Sequence, residues 1–249
     1  MRQKVIEIAK KAGSAIMDVY KEGDFSEVKK EDGSPVTRAD LAANRIIEEG
    51  LRESFKEIPI VSEETFDGSL DRSALPLYWL VDPLDGTKEF IARRDSFTVN
   101  IALMREQKPI LGVVYVPATH EIYSAENGKA YKEDEVIHAG SGLKMEKAVT
   151  SFNHQSDKLA SFLKLNGITE TSPFGSSLKF CKMAEGAFDL YPRFGPTSEW
   201  DTAAGQAICE ASGLVVMQMG TKEALCYGKK DIKNPGFYVV REGVSIRFL

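Results

Sequence analysis

The N-terminal part of the chain carries apolar residues at helical spacing. Between residues 5 and 20 they stand three or four positions apart, and the pattern ends at Gly23. After a polar loop at 29–35, Thr37-Arg-Ala-Asp40 precedes a second run of the same period. A threonine followed three positions later by an acidic residue is typical of a capping box at the start of a helix. We therefore predict two amphipathic helices here.

Short runs rich in β-branched residues follow and predict strands. We place the strands at 58–61, 77–81, 97–104, 110–116 and 121–125, and a short helix at 87–92. The last three strands should form an antiparallel meander, with Lys108-Pro109 and Pro117 in the connections.

Strands and helices alternate from about residue 147, which predicts a layered α/β protein. The predicted strands are 149–152 and 189–191, and the predicted helices are 157–165, 177–186 and 201–211. The stretch 125–146 is rich in Gly, Lys and Glu and suggests a border between two subdomains. We expect residues 1–128 to carry most of the acidic candidates, and residues 129–249 to share a cleft with them.

Composition and charge argue against several classes of protein. The 249 residues carry 32 Lys and Arg against 37 Asp and Glu, a net charge of −5 that argues against a nucleic-acid-binding track. The N-terminus lacks the apolar core of a secretory signal, and the longest apolar run, 110–116, is too short to span a bilayer. Three scattered cysteines fit reduced thiols. We expect a cytoplasmic protein, with peripheral association at the inner membrane face left open.

Two carboxylates three positions apart stand where an apolar strand should end. Asp82 would close the strand, Pro83 would stop its hydrogen-bond ladder, and Gly86 would let the chain turn tightly beneath a ligand. The amides of Gly86 and Thr87 would then open a helix and attract an anion, while the carboxylates of Asp82 and Asp85 attract a hard cation. A phosphate bridged by Mg²⁺ would suit both the amides, which attract an anion, and the carboxylates, which attract a cation.

Further acidic residues stand at the ends of other elements. Glu63 follows the strand 58–61, and Asp201 opens the helix 201–211. If these groups converge with Asp82 and Asp85, their oxygens and the backbone carbonyl of Leu84 could hold two or three Mg²⁺ ions. The alternative is that each carboxylate only caps a helix. That alternative is weaker for Asp82 and Asp85, because neighbouring carboxylates repel unless a cation compensates them.

Asp40 and Thr87 each allow two interpretations. Asp40 fits a capping box as well as it fits water chemistry, and Thr87 could cap the helix that it begins. Alternatively, Thr87 hydrogen-bonds a water that a metal and either Glu63 or Asp40 deprotonate for in-line attack on phosphorus. No motif for a covalent nucleophile is present. Hydrolysis by activated water is therefore the expected chemistry.

Three motifs resemble the signatures of the inositol monophosphatase superfamily of Mg²⁺-dependent, lithium-sensitive phosphatases. They are Val61-Ser-Glu-Glu64, Asp82-Pro-Leu-Asp-Gly-Thr87 and Trp200-Asp-Thr-Ala-Ala-Gly205. Two further strings, Gly175-Ser-Ser-Leu-Lys-Phe-Cys181 and Leu190-Tyr-Pro-Arg-Phe-Gly-Pro-Thr197, look like its bacterial 3'(2'),5'-bisphosphate nucleotidases. The resemblance implies an α-β-α-β-α sandwich. It also implies hydrolysis of adenosine 3',5'-bisphosphate, a by-product of sulfate activation, with the phosphosulfate form as a further candidate substrate.

The resemblance also implies roles for individual residues. The family's metal ligands match Glu63, Asp82, the Leu84 carbonyl, Asp85 and Asp201, and its water-activating pair matches Asp40 and Thr87. The substrate-binding positions match Gly86, Thr87, Ser176, Lys179, Arg193 and Asp201. A second phosphate needs cations, which Lys179 and Arg193 would supply, although both also fit ordinary surface charge.

Three functions therefore stay open at this point. The first is the bisphosphate nucleotidase, and the second is a phosphatase of the same superfamily for inositol 1-phosphate or fructose 1,6-bisphosphate. The third is an inactive sensor that binds Mg²⁺ and nucleotide. The expected partner is a small phosphorylated nucleotide and not a nucleic acid, no integral membrane segment is expected, and the protein is expected to be a monomer or a homodimer.

Overall fold

Helices and strands alternate through the computed structural model, which describes residues 1–23, 25–29, 35–152 and 156–248. The helices of the described residues are α1 Arg2–Glu22, α2 Arg38–Ser54, α3 Thr87–Ile91, α4 Asp157–Leu165, α5 Leu178–Ala184 and α6 Glu199–Ala211, with a 3₁₀ turn at Arg72–Ala74. The strands of the first half are β1 Val28–Lys29, β2 Pro35–Val36, β3 Ile60–Ser62, β4 Leu77–Asp85, β5 Thr98–Arg105, β6 Lys108–Val116, β7 Glu121–Glu126, β8 Lys129–Lys132 and β9 Glu135–Ile137. Those of the second half are β10 Lys147–Thr150, β11 Glu170–Pro173, β12 Tyr191–Arg193, β13 Thr197–Ser198, β14 Leu214–Gln218, β15 Lys233–Asn234 and β16 Phe237–Arg241.

The two N-terminal helices form as their apolar period predicts. α1 and α2 pack against each other and bury their apolar stripes on one face of the large sheet. The capping box at the start of α2 is present, with Thr37 and Asp40 as its two side chains. Residues 30–34 of the predicted polar loop lie outside the described residues.

A seven-stranded sheet in the order β3-β4-β5-β6-β7-β8-β9 carries the N-terminal half of the molecule. β3 is parallel to β4, and every other neighbouring pair in this sheet is antiparallel, so the predicted meander is confirmed. β8 and β9 were not predicted, and they extend the sheet past residue 128. The division into residues 1–128 and 129–249 stays a prediction.

Two predictions about proline were wrong. Lys108 and Pro109 lie inside β6 rather than in a connection, and the turn before them uses Glu106 and Gln107 in left-handed conformation. Pro83 does not end β4, which continues to Asp85. In both places the register with β5 shifts, so proline sits at an irregularity of the ladder, where its missing N–H costs little.

A second, smaller sheet lies on the other side of α5 and α6. β12, β16 and β14 form its core, and a bridge between Ala148 and Leu190 links it to the parallel pair β10 and β11. α4 covers the outer face of this sheet through the apolar cluster that contains Phe162, Leu163 and Tyr238. The layers therefore run α1/α2, large sheet, α5/α6, small sheet, α4, and the predicted α-β-α-β-α sandwich is confirmed.

α6 approaches both the large sheet and α5 closely enough to require glycine. A Cβ on Gly112 of β6 would lie 2.4 Å from the carbonyl oxygen of Ala204, and one on Gly205 would lie 2.5 Å from the ring of Phe180. Real side chains do not tolerate such distances, so both positions need glycine for this packing.

No described helix combines the length and the apolar character that crossing a bilayer requires.

Candidate metal and phosphate site

Three of the predicted acidic ligands converge from three different elements. Glu63 follows β3 and donates its backbone N–H to the carbonyl of Val81 at 3.1 Å, which ties it to the neighbouring strand. Asp82 lies in β4, and Asp201 lies in the first turn of α6. One carboxylate oxygen from each of Glu63, Asp82 and Asp201 lies within 4.8 Å of the other two. This spacing suits a shared cation.

Each aspartate of the site has one oxygen held by donors of the protein itself. Asp82 Oδ1 accepts the N–H of Leu84 at 3.1 Å, and Asp201 Oδ2 accepts the N–H of Ser198 at 2.9 Å. Asp85 Oδ2 accepts the N–H of Ser177 at 2.7 Å. These bonds fix the carboxylate rotamers and leave the second oxygen of each group as the natural ligand for a cation.

The electrostatics of the cluster favour a bound cation. Burial raises the pKa of Asp82 well above its usual value, and the charges of Glu63, Asp85, Asp201 and Asp40 raise it further. Burial, followed by the charges of Asp85 and Glu63, likewise raises the pKa of Asp201. A divalent ion would remove this penalty, and an all-carboxylate set without histidine or cysteine suits a hard ion. The residues present therefore fit a metal site.

Asp40 and Thr87 lie in contact although 47 positions separate them. Thr87 Oγ donates to Asp40 Oδ1 at 3.1 Å and to the carbonyl oxygen of Leu84 at 3.3 Å, sharing its single proton. The other oxygen of Asp40 accepts both the N–H and the hydroxyl of Thr37 at 2.7 Å. Burial raises the pKa of Asp40 despite these hydrogen bonds.

The two interpretations of these residues now separate. Asp40 caps α2 with one oxygen and contacts Thr87 with the other, so both of its roles are sterically compatible. Asp201 likewise caps its own helix, α6, with one carboxylate oxygen, and its other oxygen stays available for a cation. For Thr87 the capping interpretation was wrong, because the N-cap of α3 is Gly86 and the Thr87 hydroxyl donates to oxygens. The Leu84 carbonyl as a metal ligand stays a prediction.

Gly86 makes the turn between β4 and α3 possible. Its φ of 91° lies in the left-handed region that disfavours side chains, and a Cβ there would lie 3.2 Å from Cβ of Ser176. Gly86 therefore lies directly against the turn of residues 174–177 from the second half of the chain.

One cavity of about 230 Å³ contains most of the predicted substrate residues. Asp85 and Gly86 line it from the first half of the chain, and Ser176, Lys179, Arg193 and Asp201 line it from the second. The structure thus brings the predicted second-phosphate residues to the same cavity as two of the acidic residues.

Lys179 is a buried cation and not an ordinary surface charge. Its side chain is only 4% exposed, and Nζ donates to the carbonyl oxygens of Phe174 at 3.2 Å and Ser176 at 2.7 Å. Burial lowers its pKa to about 8, against the opposing effect of the Asp85 charge. Two of the three ammonium donors are thereby used within the protein.

Arg193 and Ser176 also have protein partners. Arg193 donates to Ser151 Oγ at 2.9 Å and to the carbonyl oxygens of Gly195 and Pro196 at 3.3 and 3.2 Å. The hydroxyl of Ser176 donates to the carbonyl of Ser96 at 2.6 Å. Their predicted contacts with substrate stay predictions.

Two residues that bind Asp85 were not predicted from the sequence. Ser177 and Asn100 both hydrogen-bond Asp85 Oδ2, from α5 and β5 respectively. A signal for Asn100 was present, because Thr98 and Asn100 are polar residues inside an otherwise apolar strand. Ser177 adjoins the predicted Ser176 and carries no such signal.

Comparison with known proteins agrees with this geometry. Residues 1–243 match the sequence model described as the inositol monophosphatase family. The chain is 46% identical over 243 residues to the 3'(2'),5'-bisphosphate nucleotidase CysQ of Salmonella typhimurium, covering 96% of this chain and 99% of the relative. The protein of the same name from Escherichia coli is 46% identical over 244 residues, again covering 96% and 99%.

Solved structures show the same fold. CysQ from Bacteroides thetaiotaomicron superposes with a TM-score of 0.84 at 39% identity and covers 97% of both chains. The extragenic suppressor protein SuhB from Bartonella henselae superposes with a TM-score of 0.81 over 96% of this chain and 93% of its own, at 24% identity, which is a likeness of fold. With its sequence matched over residues 1–243 and its fold shared with these structures, the chain belongs to the inositol monophosphatase family.

Proposed function

We propose that this protein is a metal-dependent phosphatase that hydrolyses adenosine 3',5'-bisphosphate to AMP and phosphate in sulfate assimilation. One observation carries the proposal: Asp85 and Asp201 line the same cavity as the cations Lys179 and Arg193. A substrate with one phosphate at the metal and a second phosphate beside these cations matches that charge distribution. The names of the relatives at 46% identity support the same substrate class. The phosphosulfate form of the nucleotide is a second candidate substrate.

We assign the metal to Mg²⁺, with two or three ions held by Glu63, Asp82, Asp85, Asp201 and the Leu84 carbonyl. Only oxygen donors are offered by this set, which favours a hard divalent ion. When bound, Mg²⁺ would offset the negative charge that develops on the phosphate and lower the pKa of water.

The protein's own groups then position the water and the phosphate. Thr87 Oγ donates to Asp40 and keeps lone pairs that can accept a hydrogen bond from the attacking water. Asp40, with its raised pKa, or Glu63 would take up the proton as the water attacks phosphorus in line with the leaving oxygen. The amides of Gly86 and Thr87 would donate to phosphate oxygens at the start of α3. The side chains of Thr87 and of Asp40 or Glu63 therefore act on the attacking water, and the amides of residues 86 and 87 bind the phosphate.

Thr87→Ala is expected to lower kcat by about 100-fold or more, because the variant cannot orient the water toward Asp40. KM for the bisphosphate should change little, since the backbone amide of residue 87 remains. Steady-state phosphate release measures both constants.

Thr87→Ser is the matched control, because it keeps the hydroxyl and removes only a methyl group. It should retain most of the activity. An alanine variant within about threefold of the parent in kcat would remove Thr87 from the water-activating pair.

Activity on the bisphosphate should decline as the pH rises through about 8, the pKa of buried Lys179. The ammonium loses its charge above that pH and can no longer attract the second phosphate, so kcat/KM falls toward the value of a protein that lacks this charge. Profiles of kcat/KM from about pH 7 to about pH 10 for the bisphosphate and for inositol 1-phosphate measure this.

Lys179→Met should begin from a lower kcat/KM and lose this decline. The monophosphate profile should lack it in the parent protein. If the variant shows the same decline near pH 8 as the parent, another group is responsible.

The proposed function itself is tested by phosphate release from adenosine 3',5'-bisphosphate, inositol 1-phosphate and fructose 1,6-bisphosphate, with Mg²⁺, with EDTA and with added lithium. A strong Mg²⁺-dependent preference for the nucleotide supports the proposal. Equal or reversed preference would move the substrate to the inositol or sugar phosphates. Tight nucleotide binding without phosphate release would favour the sensor. The cytoplasmic location, any peripheral membrane association and the monomeric or homodimeric state stay predictions.

A further inference from the structure

Ser177 connects the two halves of the candidate site. It lies at the N-cap of α5, is 1% exposed, and hydrogen-bonds residues from both halves of the chain. Its backbone N–H donates to Asp85 Oδ2 at 2.7 Å, and its Oγ lies 2.9 Å from the same oxygen. The same Oγ lies 2.6 Å from the carbonyl oxygen of Asp201. One buried side chain therefore contacts the side chain of one candidate ligand and the backbone of another.

Asn100 of β5 completes the environment of that hydroxyl. Its Nδ2 donates to Ser177 Oγ at 2.9 Å and to Asp85 Oδ2 at 3.2 Å. Thr98 in turn donates to Asn100 Oδ1 at 2.9 Å, which fixes the orientation of the amide. Since the hydroxyl of Ser177 accepts from Asn100, its single proton is shared between Asp85 and the Asp201 carbonyl. Thr98, Asn100 and Ser177 are buried and Asp85 is half-buried, so a hydrogen bond lost among the three buried residues would leave a polar group without a partner.

The turn that presents Ser177 is held by contacts of its own. Ser176 has a φ of 45°, which is unfavourable for a side-chain-bearing residue, and its hydroxyl and the N–H of Gly175 bind Ser96. The ammonium of Lys179 donates to the carbonyl oxygens of Phe174 and Ser176 in the same turn. A Cβ on Gly175 would lie 2.5 Å from Ser96 Oγ, so the turn is packed tightly. Ser177 is thus presented by a turn that other groups hold in place.

We propose that Ser177 is a positioning residue that holds the Asp85 carboxylate against the start of α6 and so sets the distance between Asp85 and Asp201. This inference rests on the proposed metal-ligand roles of those two aspartates. Asp85 arrives with β4 and Asp201 with α6, and Ser177 is bonded to both. Groups that orient a ligand without touching the metal commonly change metal affinity by about 10-fold to 100-fold when they are removed.

The test is Mg²⁺ binding to the metal-free protein, without substrate, by titration calorimetry. Ser177→Ala keeps the hydrogen bond from the backbone N–H of residue 177 to Asp85 and loses the hydroxyl, and it should raise the Kd for Mg²⁺ by about 10-fold or more. Ser212→Ala is the matched control, because Ser212 is a buried serine at the other end of α6 whose hydroxyl also binds one backbone carbonyl, that of Cys209. It should lower Tm by a similar amount and leave the Kd for Mg²⁺ unchanged. A merely structural role for Ser177 predicts the same behaviour for both variants.

Two further variants separate the possible failures. If Asp85→Asn leaves the Kd for Mg²⁺ unchanged, the proposed metal site is wrong. If Asp85→Asn weakens binding while Ser177→Ala does not, only the positioning role is overturned. Should Ser177→Ala fail to fold, Thr98→Val decides, since it frees the Asn100 amide that donates to Ser177 and Asp85 and removes no side-chain hydrogen bond of either aspartate. Weaker Mg²⁺ binding in Thr98→Val supports the proposal, and unchanged binding overturns it.

Discussion

Replacing Asp82 by asparagine should abolish phosphate release while leaving the protein folded and, without metal, more stable. Asp82 is buried among the other carboxylates and contributes one of the three oxygens that lie within 4.8 Å of one another. Loss of this charge should weaken metal binding. Because a catalytic metal stabilises the transition state by several kcal/mol, kcat/KM should fall by about 1000-fold or more. Asparagine has nearly the same shape, and its Oδ1 can still accept the N–H of Leu84.

The stability effect has the opposite sign because the metal-free site is a cluster of like charges. Burial and the charges of its neighbours already disfavour ionised Asp82, so the neutral amide removes repulsion. Tm of the variant in EDTA should therefore exceed that of the parent, while added Mg²⁺ should raise Tm less than in the parent.

Asp134→Asn makes the same chemical change at a side chain that is 86% exposed, and it should alter neither activity nor the response to Mg²⁺. An Asp82→Asn protein that kept most of its Mg²⁺-dependent activity would refute the metal assignment. A folded variant whose Tm in EDTA fell below that of the parent would argue that the cluster is not repulsive.

Reversing the charge of Arg193 should change substrate preference more than any other single substitution in the cavity. Arg193 and Lys179 line the cavity together, and the proposed second phosphate lies beside them. In Arg193→Glu a charge-assisted hydrogen bond becomes a repulsion, so kcat/KM for adenosine 3',5'-bisphosphate should fall by about 100-fold or more. KM should carry most of this loss. For inositol 1-phosphate the change should be small.

The preference ratio is the informative quantity, because Arg193 also binds Ser151, Gly195 and Pro196. Loosening of that turn would lower activity on both substrates alike, whereas loss of a phosphate contact lowers it on the bisphosphate alone. Arg45→Glu applies the same charge change at an exposed residue of α2 and should leave the ratio unchanged. Equal losses of kcat/KM on both substrates in Arg193→Glu would mean that Arg193 does not bind the second phosphate.

Much of the fold could be predicted because buried helix faces and buried strands produce local patterns of apolar residues in the sequence. The apolar period of α1 and α2, the capping box at Thr37 and the β-branched meander are short-range patterns, and each is present in the structure. β14 and β16 are rich in apolar and β-branched residues and were missed in spite of that pattern. The short strands β11, β13 and β15 carry weak local patterns and were missed as well. Their pairing partners lie far along the chain, so packing and not local propensity selects them.

The predictions at two prolines were wrong because they assumed that proline cannot lie inside a strand. Pro83 and Pro109 each lack a ladder donor, and local reasoning therefore ended a strand or placed a connection there. The sheet instead shifts register at both places. Whether a strand stops or bulges depends on the neighbouring strand, which no local pattern reports.

The sequence by itself determined the helices α1 to α6, the central strands of the large sheet and the chemistry of the acidic motifs, because helical period, capping residues and motifs are local properties of the chain. The tertiary structure alone decided which groups meet. It brought Asp40 to Thr87, buried Lys179 against two carbonyls, and inserted Ser177 between Asp85 and Asp201. The contacts of Asp40 and Ser177 join residues far apart in sequence, and the burial of Lys179 depends on what packs over its short turn, so none of them follows from spacing along the chain.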